Sequence, residues 1–445
     1  MSSNPVVGII AEYNPFHNGH AYQIARIRAL LPDAALVAVM SGSFTQRGEP
    51  TVLDQWQRAA LAIENGIDLV IELPYAFSCR SAQHFATGGI RLLAALGCVT
   101  HLAFGAETDD LPLLTQLAEA SELQAVKEDL HQRLKEGRSY AAAFAGAVAQ
   151  RCSCPPSILR QPNNILAIEY LRARTHFAPK LHPLLIRREG ADYHDENIVS
   201  NIASASAIRC TLSRLLSQQD PSPSWQELAS VLPGSVWEAL HSSVPLHFPR
   251  QVFLYRSLLT MLRTISDDDL RTIVGIREGL EHRLLRASRL AGNWQDLLGK
   301  LGTRRYPTSS LSRILLHLLL NFKKEDAARF DGNGPSYLRV LAMNDIGAAL
   351  LHRAKERSTL PLLTKVTPFL NDKERRKDKN CLSPLQQMLR FDLLATELRE
   401  LTLPQPNLAC RDFLESPRFL AHRSTNRSGE AEDLHRPWHC LHDER

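Results

Sequence analysis

Apolar strand patterns alternate with helix patterns through the first 215 residues, and this alternation constrains the fold more than any other feature of the chain. Short apolar runs that end near Gly, Pro or Ser each precede a longer helical stretch. The predicted strands are 6–11, 35–40, 69–73, 101–104 and 181–186. Because strands joined through helices usually pair in parallel, the pattern predicts an α/β fold built on a doubly wound parallel sheet.

Four residues lie at the carboxyl ends of predicted strands or in the turn that follows, and they mark the edge of the sheet where a ligand is expected. They are His17, Ser41, Pro74 and Gly105. In open α/β sheets, ligands bind outside the carboxyl ends of the strands. We therefore expect these four positions to converge on one crevice.

The first strand-to-helix junction holds the segment Gly8-Ile-Ile-Ala-Glu-Tyr-Asn-Pro-Phe-His17-Asn-Gly-His20. The unpaired N–H groups and positive dipole end of a helix N-terminus attract anions, and imidazoles there can donate to phosphate oxygens. Gly19 would let a nucleotide approach the backbone closely. His-x-Gly-His alone also arises by chance, but this position favours a nucleotide-phosphate site. The segment resembles the HxGH signature of the nucleotidyltransferase superfamily.

A second motif, Asn201-Ile-Ala-Ser204-Ala-Ser206-Ala-Ile-Arg209, precedes and begins a predicted helix. Ser204 and Ser206 could simply cap that helix. The same hydroxyl groups could instead contact a triphosphate, with Arg209 one turn further on. The motif resembles the ISSTxIR element of small adenylyltransferases, which is equivalent to the KMSKS loop of class I aminoacyl-tRNA synthetases.

Composition excludes several classes of protein. The chain has 445 residues, no apolar stretch of about 18 residues and no secretory signal, so we expect a cytoplasmic protein without membrane spans. Its eight cysteines form no CxxC pair, and Cys152 and Cys154 are too close for the usual zinc spacing. We therefore expect free thiols and no protein-held metal. Nothing in the sequence indicates an obligate protein partner.

Charge and composition divide the rest of the chain. Residues 1–216 are predicted as the catalytic α/β domain, 217–224 as a linker and 225–401 as a helical domain without clear strands. The segment from Arg277 to Lys323 contains nine Lys and Arg residues but only three acidic residues. This excess of positive charge suits either a surface that binds a polyanion or a helix face exposed to solvent. Residues 402–445 are predicted as a poorly ordered polar tail. Its histidines and Cys440 could instead bind a metal.

Further strings match one family more narrowly. They are Ser41-Gly-Ser-Phe-Thr-Gln-Arg47-Gly-Glu49-Pro50, Asp68-Leu-Val-Ile-Glu72-Leu-Pro74, Phe104-Gly105-Ala-Glu107, Pro162-Asn163-Asn164-Ile-Leu-Ala-Ile-Glu169-Tyr170 and Arg187-Arg188-Glu-Gly-Ala-Asp192-Tyr-His194-Asp195. Together with the N-terminal motif, they resemble the tRNA(Met) cytidine acetate ligase family. The resemblance is close over about residues 6–215 and weaker beyond. Gln55 stands where that family often has Lys, and the loss of that cation would weaken a phosphate contact.

The resemblance implies a two-step reaction. Acetate and ATP, with Mg²⁺ on the triphosphate, would form acetyl-adenylate, and the acetyl group would pass to the wobble cytidine of elongator tRNA(Met). His17, His20 and Arg209 would be catalytic. The implied ATP-binding residues are Ile10, Ala11, Glu12, Tyr13, Asn14, Pro15, Phe16, His17, Asn18, Gly19, His20, Ala21, Tyr22, Gln23, Gly105, Asn163, Arg187, Arg188 and Ser206.

Contacts with tRNA are expected in the basic part of the second half. Arginines there suit phosphate groups, and a splayed-out base commonly stacks on an aromatic ring or an arginine. The candidates are Arg283, Arg286, Arg304, Arg305, Tyr306 and Arg313. Two other functions remain open from sequence: another HxGH adenylyltransferase that acts on a phosphorylated small molecule, and a non-catalytic RNA-binding protein with a relic nucleotide site.

Overall fold

The computed structural model describes residues 4–152, 154–155, 157–188, 201–217, 225–243, 247–277, 279–303 and 306–421. The strands within these ranges are β1 Val6–Ala11, β2 Ala35–Ser41, β3 Leu69–Leu73, β4 His101–Ala106, β5 His182–Arg187, β6 Leu338–Met343, β7 Leu362–Leu363 and β8 Arg418–Phe419.

Helices make up most of the remaining described structure. They are α1 Asn18–Leu30, α2 Gln55–Glu64, α3 Tyr75–Ser78, α4 Ala82–Ala95, α5 Leu111–Ala120, α6 Gln124–Lys135, α7 Tyr140–Cys152, α8 Pro162–Phe177, α9 Ala205–Ser217, α10 Trp225–Val231, α11 Gly234–Ser243, α12 Gln251–Thr264, α13 Asp267–Thr272, α14 Leu280–Leu290, α15 Trp294–Leu301, α16 Thr308–Leu319, α17 Lys324–Asn333, α18 Asp345–Arg357, α19 Asp372–Arg375, α20 Pro384–Glu400 and α21 Arg411–Leu414. Short 3₁₀ turns occupy Ile158–Arg160 and Lys379–Cys381. No helix within the described ranges is long and apolar enough to span a bilayer.

The predicted parallel sheet is confirmed. Its five N-terminal strands have the order β5-β4-β1-β2-β3, and every neighbouring pair among them is parallel. β2 and β3 are buried along their whole length, because apolar side chains on both faces of the sheet are covered by packed elements. β1 lies in the middle of this order, so the turn that follows it opens at the centre of the carboxyl edge.

The prediction of a second half without strands was wrong at two places, where β6 and β7 form. β6 pairs antiparallel with β3 and extends the sheet, and β7 and β8 each pair in parallel with β6. Arg339 interrupts the apolar run of β6, and this made the strand hard to recognise. The arginine is tolerated inside the fold because Glu72 of β3 lies 2.9 Å from its guanidinium group.

The beginning of the predicted polar tail also differs from expectation. Residues 402–421 include α21 and β8. Arg411 contacts the first half of the chain, and Asp412 contacts the buried arginine of β6. Arg411 Nη1 lies 2.7 Å from Asp54, and Asp412 lies 2.6 Å from Arg339. Specific ion pairs hold this segment in place, which its polar composition did not reveal. The rest of the tail, 422–445, and the predicted linker residues 218–224 lie outside the described residues.

Candidate active site

The turn after β1 is held from several sides, and this fixes the position of the helix that follows. Tyr13 has a φ of 48°, and the Asn14–Pro15 peptide bond is cis. Asn14 Oδ1 accepts from the backbone N–H of Val52 at 2.8 Å. The buried Arg58 side chain donates to the carbonyl of Glu12 at 2.5 Å. Such a rigid turn delivers the next residues to one defined place at the carboxyl edge.

His17 is the N-cap of α1, and His20 occupies its third position. Gly19 N donates to His17 Nδ1 at 3.0 Å, and His17 N donates to His20 Nδ1 at 3.2 Å. The two rings lie 3.8 Å apart between centroids. Gly19 is required here, because a side chain at this position would meet the His17 ring within 3.0 Å.

These bonds determine the tautomer of both rings. Each Nδ1 accepts a backbone proton, so in the neutral imidazole the proton is carried by Nε2. Burial lowers the pKa of His17 to about 3, and the charges of Arg188 and Arg209 act in the same direction. Burial also lowers the pKa of His20 well below its usual range. Both histidines therefore offer neutral Nε2–H donors at neutral pH.

Arg209 connects the second motif to the first. Its guanidinium group donates to the Asn14 carbonyl at 3.0 Å and to Glu49 Oε2 at 2.7 Å. Ser204 Oγ accepts from Ala207 N at 3.0 Å near the start of α9, which is the capping role expected for one serine of this motif. Both serines line the cavity described below, and Ser206 Oγ lies 3.4 Å from Arg209 Nη2.

The tandem asparagines at the start of α8 have different surroundings. Asn164 is fully buried, and its Oδ1 accepts from the backbone N–H groups of Glu107 and Thr108 at 3.0 and 3.2 Å. Asn163 Nδ2 donates to Glu107 Oε1 at 2.7 Å, and Asn163 also lines the cavity. Asn163 can therefore meet a ligand, whereas Asn164 joins α8 to the end of β4.

A cavity of about 930 Å³ opens at this edge of the sheet. Both halves of the chain line it. The predicted site residues on its wall are Ile10, Ala11, Glu12, Tyr13, Asn14, His17, His20, Gln23, Gly105, Asn163, Arg188, Ser206, Arg209, Tyr306 and Arg313. Tyr13 Oη and Asn14 Nδ2 are buried without a hydrogen-bond partner among the described residues. A polar ligand would satisfy these groups, whose burial otherwise costs about 1–3 kcal/mol each.

Other predicted site residues do not line the cavity. They are Pro15, Phe16, Asn18, Gly19, Ala21, Tyr22, Arg187, Arg283 and Arg286. Arg187 is exposed and lies 3.4 Å from Asp109, so only Arg188 of this arginine pair lines the cavity. Gln55 is fully buried between Ser43 and Thr396 and does not line the cavity either, so the expected loss of a phosphate contact there has no structural basis.

The residues predicted to contact tRNA lie in different parts of the structure. Tyr306 and Arg313 line the cavity, and Arg313 donates to the carbonyl of Gln46 at 3.2 Å. Arg283 donates to the carbonyls of Lys300 and Gly302 at the end of α15, whereas Arg286 is exposed on α14. Arg304 and Arg305 lie outside the described residues.

Several residues on the cavity wall had no role assigned from sequence. Arg47, Glu169 and Tyr170 belong to the family-like strings, so a signal for them existed. Ser81, His84 and Arg277 belong to no motif that we recognised. Residues distant in sequence meet at this wall through folding, which spacing along the chain does not show.

The fold and the site together define a nucleotidyltransferase of the HxGH type, and comparison with known proteins agrees. Residues 4–412 match the family model described as HIGH Nucleotidyl Transferase. The tRNA(Met) cytidine acetate ligase of Halothermothrix orenii is 34% identical over 92% of this chain and 98% of its own length. That of Syntrophotalea carbinolica is 37% identical over 92% of this chain and 98% of its own. The chain belongs to the tRNA(Met) cytidine acetate ligase family.

Solved structures show the same similarity. The apo crystal structure of Thermotoga maritima TmcAL has a TM-score of 0.84 and 29% identity, and the match covers 94% of this chain and all of that one. A second structure of that protein, bound with alpha-thio ATP, has a TM-score of 0.82 and 28% identity, with the same coverage. The similarity therefore includes both halves of the chain.

Proposed function

We propose that this protein activates acetate with ATP and transfers the acetyl group to the wobble cytidine of elongator tRNA(Met) in the cytoplasm. Relatives covering more than nine-tenths of the chain carry the name tRNA(Met) cytidine acetate ligase, and a similar structure holds an ATP analogue. The observation that carries the proposal is the neutral His17–His20 pair, which offers its Nε2–H donors on a cavity that both halves of the chain line.

In the first step, the carboxylate of acetate attacks the α-phosphorus of ATP, and pyrophosphate leaves. The protein need not supply a nucleophile. It must hold the reactants in line and stabilise the charge that develops on phosphate oxygens. The Nε2–H groups of His17 and His20 donate to those oxygens, and the cations Arg188 and Arg209 balance their charge. The low pKa of His17 keeps its ring a donor without a net positive charge that burial would penalise.

Mg²⁺ would accompany ATP in this step and neutralise phosphate charge. The groups beside His17 and His20 suit the phosphates rather than a cation, because they include Arg188 and Arg209. Glu12 lines the same cavity, and its carboxylate already accepts from Gln46 N at 2.6 Å. We therefore propose that the metal is held chiefly by phosphate oxygens.

In the second step, the cytidine amine must reach the activated acetyl group in the cavity. From the helical half, Gly275, Arg277, Tyr306 and Arg313 line this cavity. Arg277 also begins the basic cluster that runs along the chain to Lys323, and Arg286 of that cluster is exposed. We propose that this surface binds the anticodon stem and loop, and that Tyr306 or Arg277 stacks on the extruded base.

The proposal is tested with labelled acetate, ATP and total bacterial tRNA, followed by nucleoside analysis. The expected product is N4-acetylcytidine in elongator tRNA(Met), and ATP–pyrophosphate exchange should require acetate. Exchange that requires a phosphorylated small molecule instead would indicate another adenylyltransferase. tRNA binding without any consumption of ATP would indicate a relic nucleotide site.

A further inference from the structure

Ser81, His84 and Asp331 lie in a row, and the first two of them line the cavity. Ser81 Oγ lies 2.7 Å from His84 Nδ1, and His84 Nε2 lies 3.4 Å from Asp331 Oδ2. Asp331 belongs to α17 of the second half, whereas the other two residues begin α4. Arg80 holds Asp331 through two bonds of 3.0 Å each. Folding has therefore assembled a hydroxyl, an imidazole and a fixed carboxylate in the order of a proton relay.

This row lies beside the nucleotide motif. Ser81 and His84 line the same cavity as His17 and His20. Gln46 links the two regions directly, since its backbone N–H donates to Glu12 and its side chain donates to the Arg80 carbonyl at 2.9 Å. Because Ser81 follows Arg80 in the chain, Gln46 connects the end of β1 with the start of this row.

The transfer step needs a proton acceptor that the HxGH histidines do not supply. The exocyclic amine of cytidine must lose a proton when it becomes an amide. His17 and His20 use Nδ1 to accept backbone protons and carry their own protons on Nε2. Burial disfavours a charged form of either ring. His84 has the opposite arrangement, because its Nε2 lies 3.4 Å from the Asp331 carboxylate and its Nδ1 faces the Ser81 hydroxyl.

We propose that Ser81, His84 and Asp331 remove the amine proton during acetyl transfer, an inference that rests on the proposed function. The amine nitrogen bonds to the acetyl carbonyl carbon, the bond from that carbon to the phosphate-linked oxygen breaks, and AMP leaves with the electron pair. The amine proton passes to Ser81 Oγ as the hydroxyl proton passes to His84 Nδ1. Asp331 is a positioning residue that stabilises the imidazolium, which later returns its proton to solvent.

The charges around His84 come from three elements. Asp331 of α17 lies on one side, and burial, which would raise its pKa, is outweighed by hydrogen bonds from His84 and Arg80, so the pKa is lowered. Arg80 lies just before α4, and Arg313 and His317 belong to α16. Burial, together with Arg80, Arg313 and His84, lowers the pKa of His317 well below its usual range, so that ring stays neutral. Asp331 is the carboxylate that contacts the His84 ring.

The test uses His84→Asn in the full chain, because the Asn amide oxygen can still accept from Ser81 but cannot carry the proton. Acetyl-adenylate is formed first, tRNA is added, and the single-turnover transfer rate is followed from pH 5.5 to 8.5. We expect transfer to fall by roughly 10²-fold, as loss of a general base does. Acetate-dependent ATP–pyrophosphate exchange should stay within about twofold. The unsubstituted protein should lose transfer rate at acid pH, and the variant should lack that acid limb.

Two further arms keep the inference falsifiable. Ser81→Ala should slow transfer without slowing exchange, and Ser81→Thr, which keeps the hydroxyl, should restore it. His352→Asn replaces an exposed histidine of α18 that does not line the cavity, and it should change neither step. A transfer rate unaltered in His84→Asn, or reduced equally at every pH with the acid limb retained, would overturn the relay. Absence of acetate-dependent exchange in the unsubstituted protein would instead overturn the proposed function.

Discussion

At the scale of single residues, His17 has a structural role, and the proposed function gives it a second role as a donor to the nucleotide. Its Nδ1 caps α1 by accepting from Gly19 N, and its Nε2–H remains available to a ligand. The cap contributes about 1 kcal/mol to stability, whereas a donor aimed at a transition state contributes several kcal/mol to the barrier. A substitution that keeps the cap and removes the donor can separate these roles.

His17→Asn is that substitution, because asparagine is a favoured N-cap and lacks the distal N–H. We expect the free energy of unfolding to change by less than about 1 kcal/mol and acetate-dependent ATP–pyrophosphate exchange to fall by roughly 10²-fold. His17→Ala should lose exchange to a similar extent and also lose the cap. Denaturant titration and exchange assays check both effects, and exchange within a few-fold of the original in His17→Asn would show that the ring is structural.

At the scale of elements, the second half of the chain completes the sheet of the first. β6 extends the sheet beyond β3, and the buried Arg339 that it carries pairs with Glu72 and Asp412. Burial raises the pKa of Glu72 to about 8, although the Arg339 charge opposes the shift. Because Asp412 pairs with the buried Arg339, the segment that carries Asp412 is part of the core of the fold.

Asp412→Ala should destabilise the protein by about 3 kcal/mol, because it removes one partner of a buried arginine. Asp268→Ala removes a comparable partner from Arg271 at an almost fully exposed site, where 95% of the Asp268 side chain is accessible. Its cost should be much smaller, because water screens the charges of an exposed pair. Urea unfolding of the two variants checks the contrast, and equal costs would show that the C-terminal segment is only loosely attached.

At the scale of the whole molecule, both halves line one cavity. The HxGH motif lines it from the first half, and Arg277, Tyr306 and Arg313 line it from the second half. A substrate as large as tRNA would then contact the helical half while its reacting base enters between the halves. Substitution of residues that contact tRNA phosphates on the outer face of the helical half should weaken tRNA binding and leave adenylate formation unchanged.

Arg286→Ala tests this arrangement, since Arg286 is exposed on α14 and does not line the cavity. We expect weaker tRNA binding and a salt dependence whose log–log slope is reduced by about 1. Exchange without tRNA should be unchanged. Lys355→Ala is the matched control, because Lys355 is exposed on α18, which packs against the sheet and contributes nothing to the cavity wall. Equal losses of affinity in both variants would indicate nonspecific charge attraction.

Patterns along the chain were enough to predict the parallel sheet of β1 to β5 and the position of His17 and His20 at the first helix N-terminus. Such features depend on local patterns, namely strand and helix periodicity and the residues at the junction between them. Motif strings also indicated Arg209 and Asn163, both of which line the cavity.

Which distant residues are in contact depends on the tertiary fold and could not be predicted from local patterns. It joined β6 to β3, brought Asp412 to Arg339, and set Asp331 of α17 against His84 of α4. It also buried Gln55 between Ser43 and Thr396, away from the cavity. The position of Gln55 in a motif had suggested a phosphate contact. The physical reason is that charge pairing and burial depend on distances in space, and local residue patterns constrain those distances only within an element and its immediate turns.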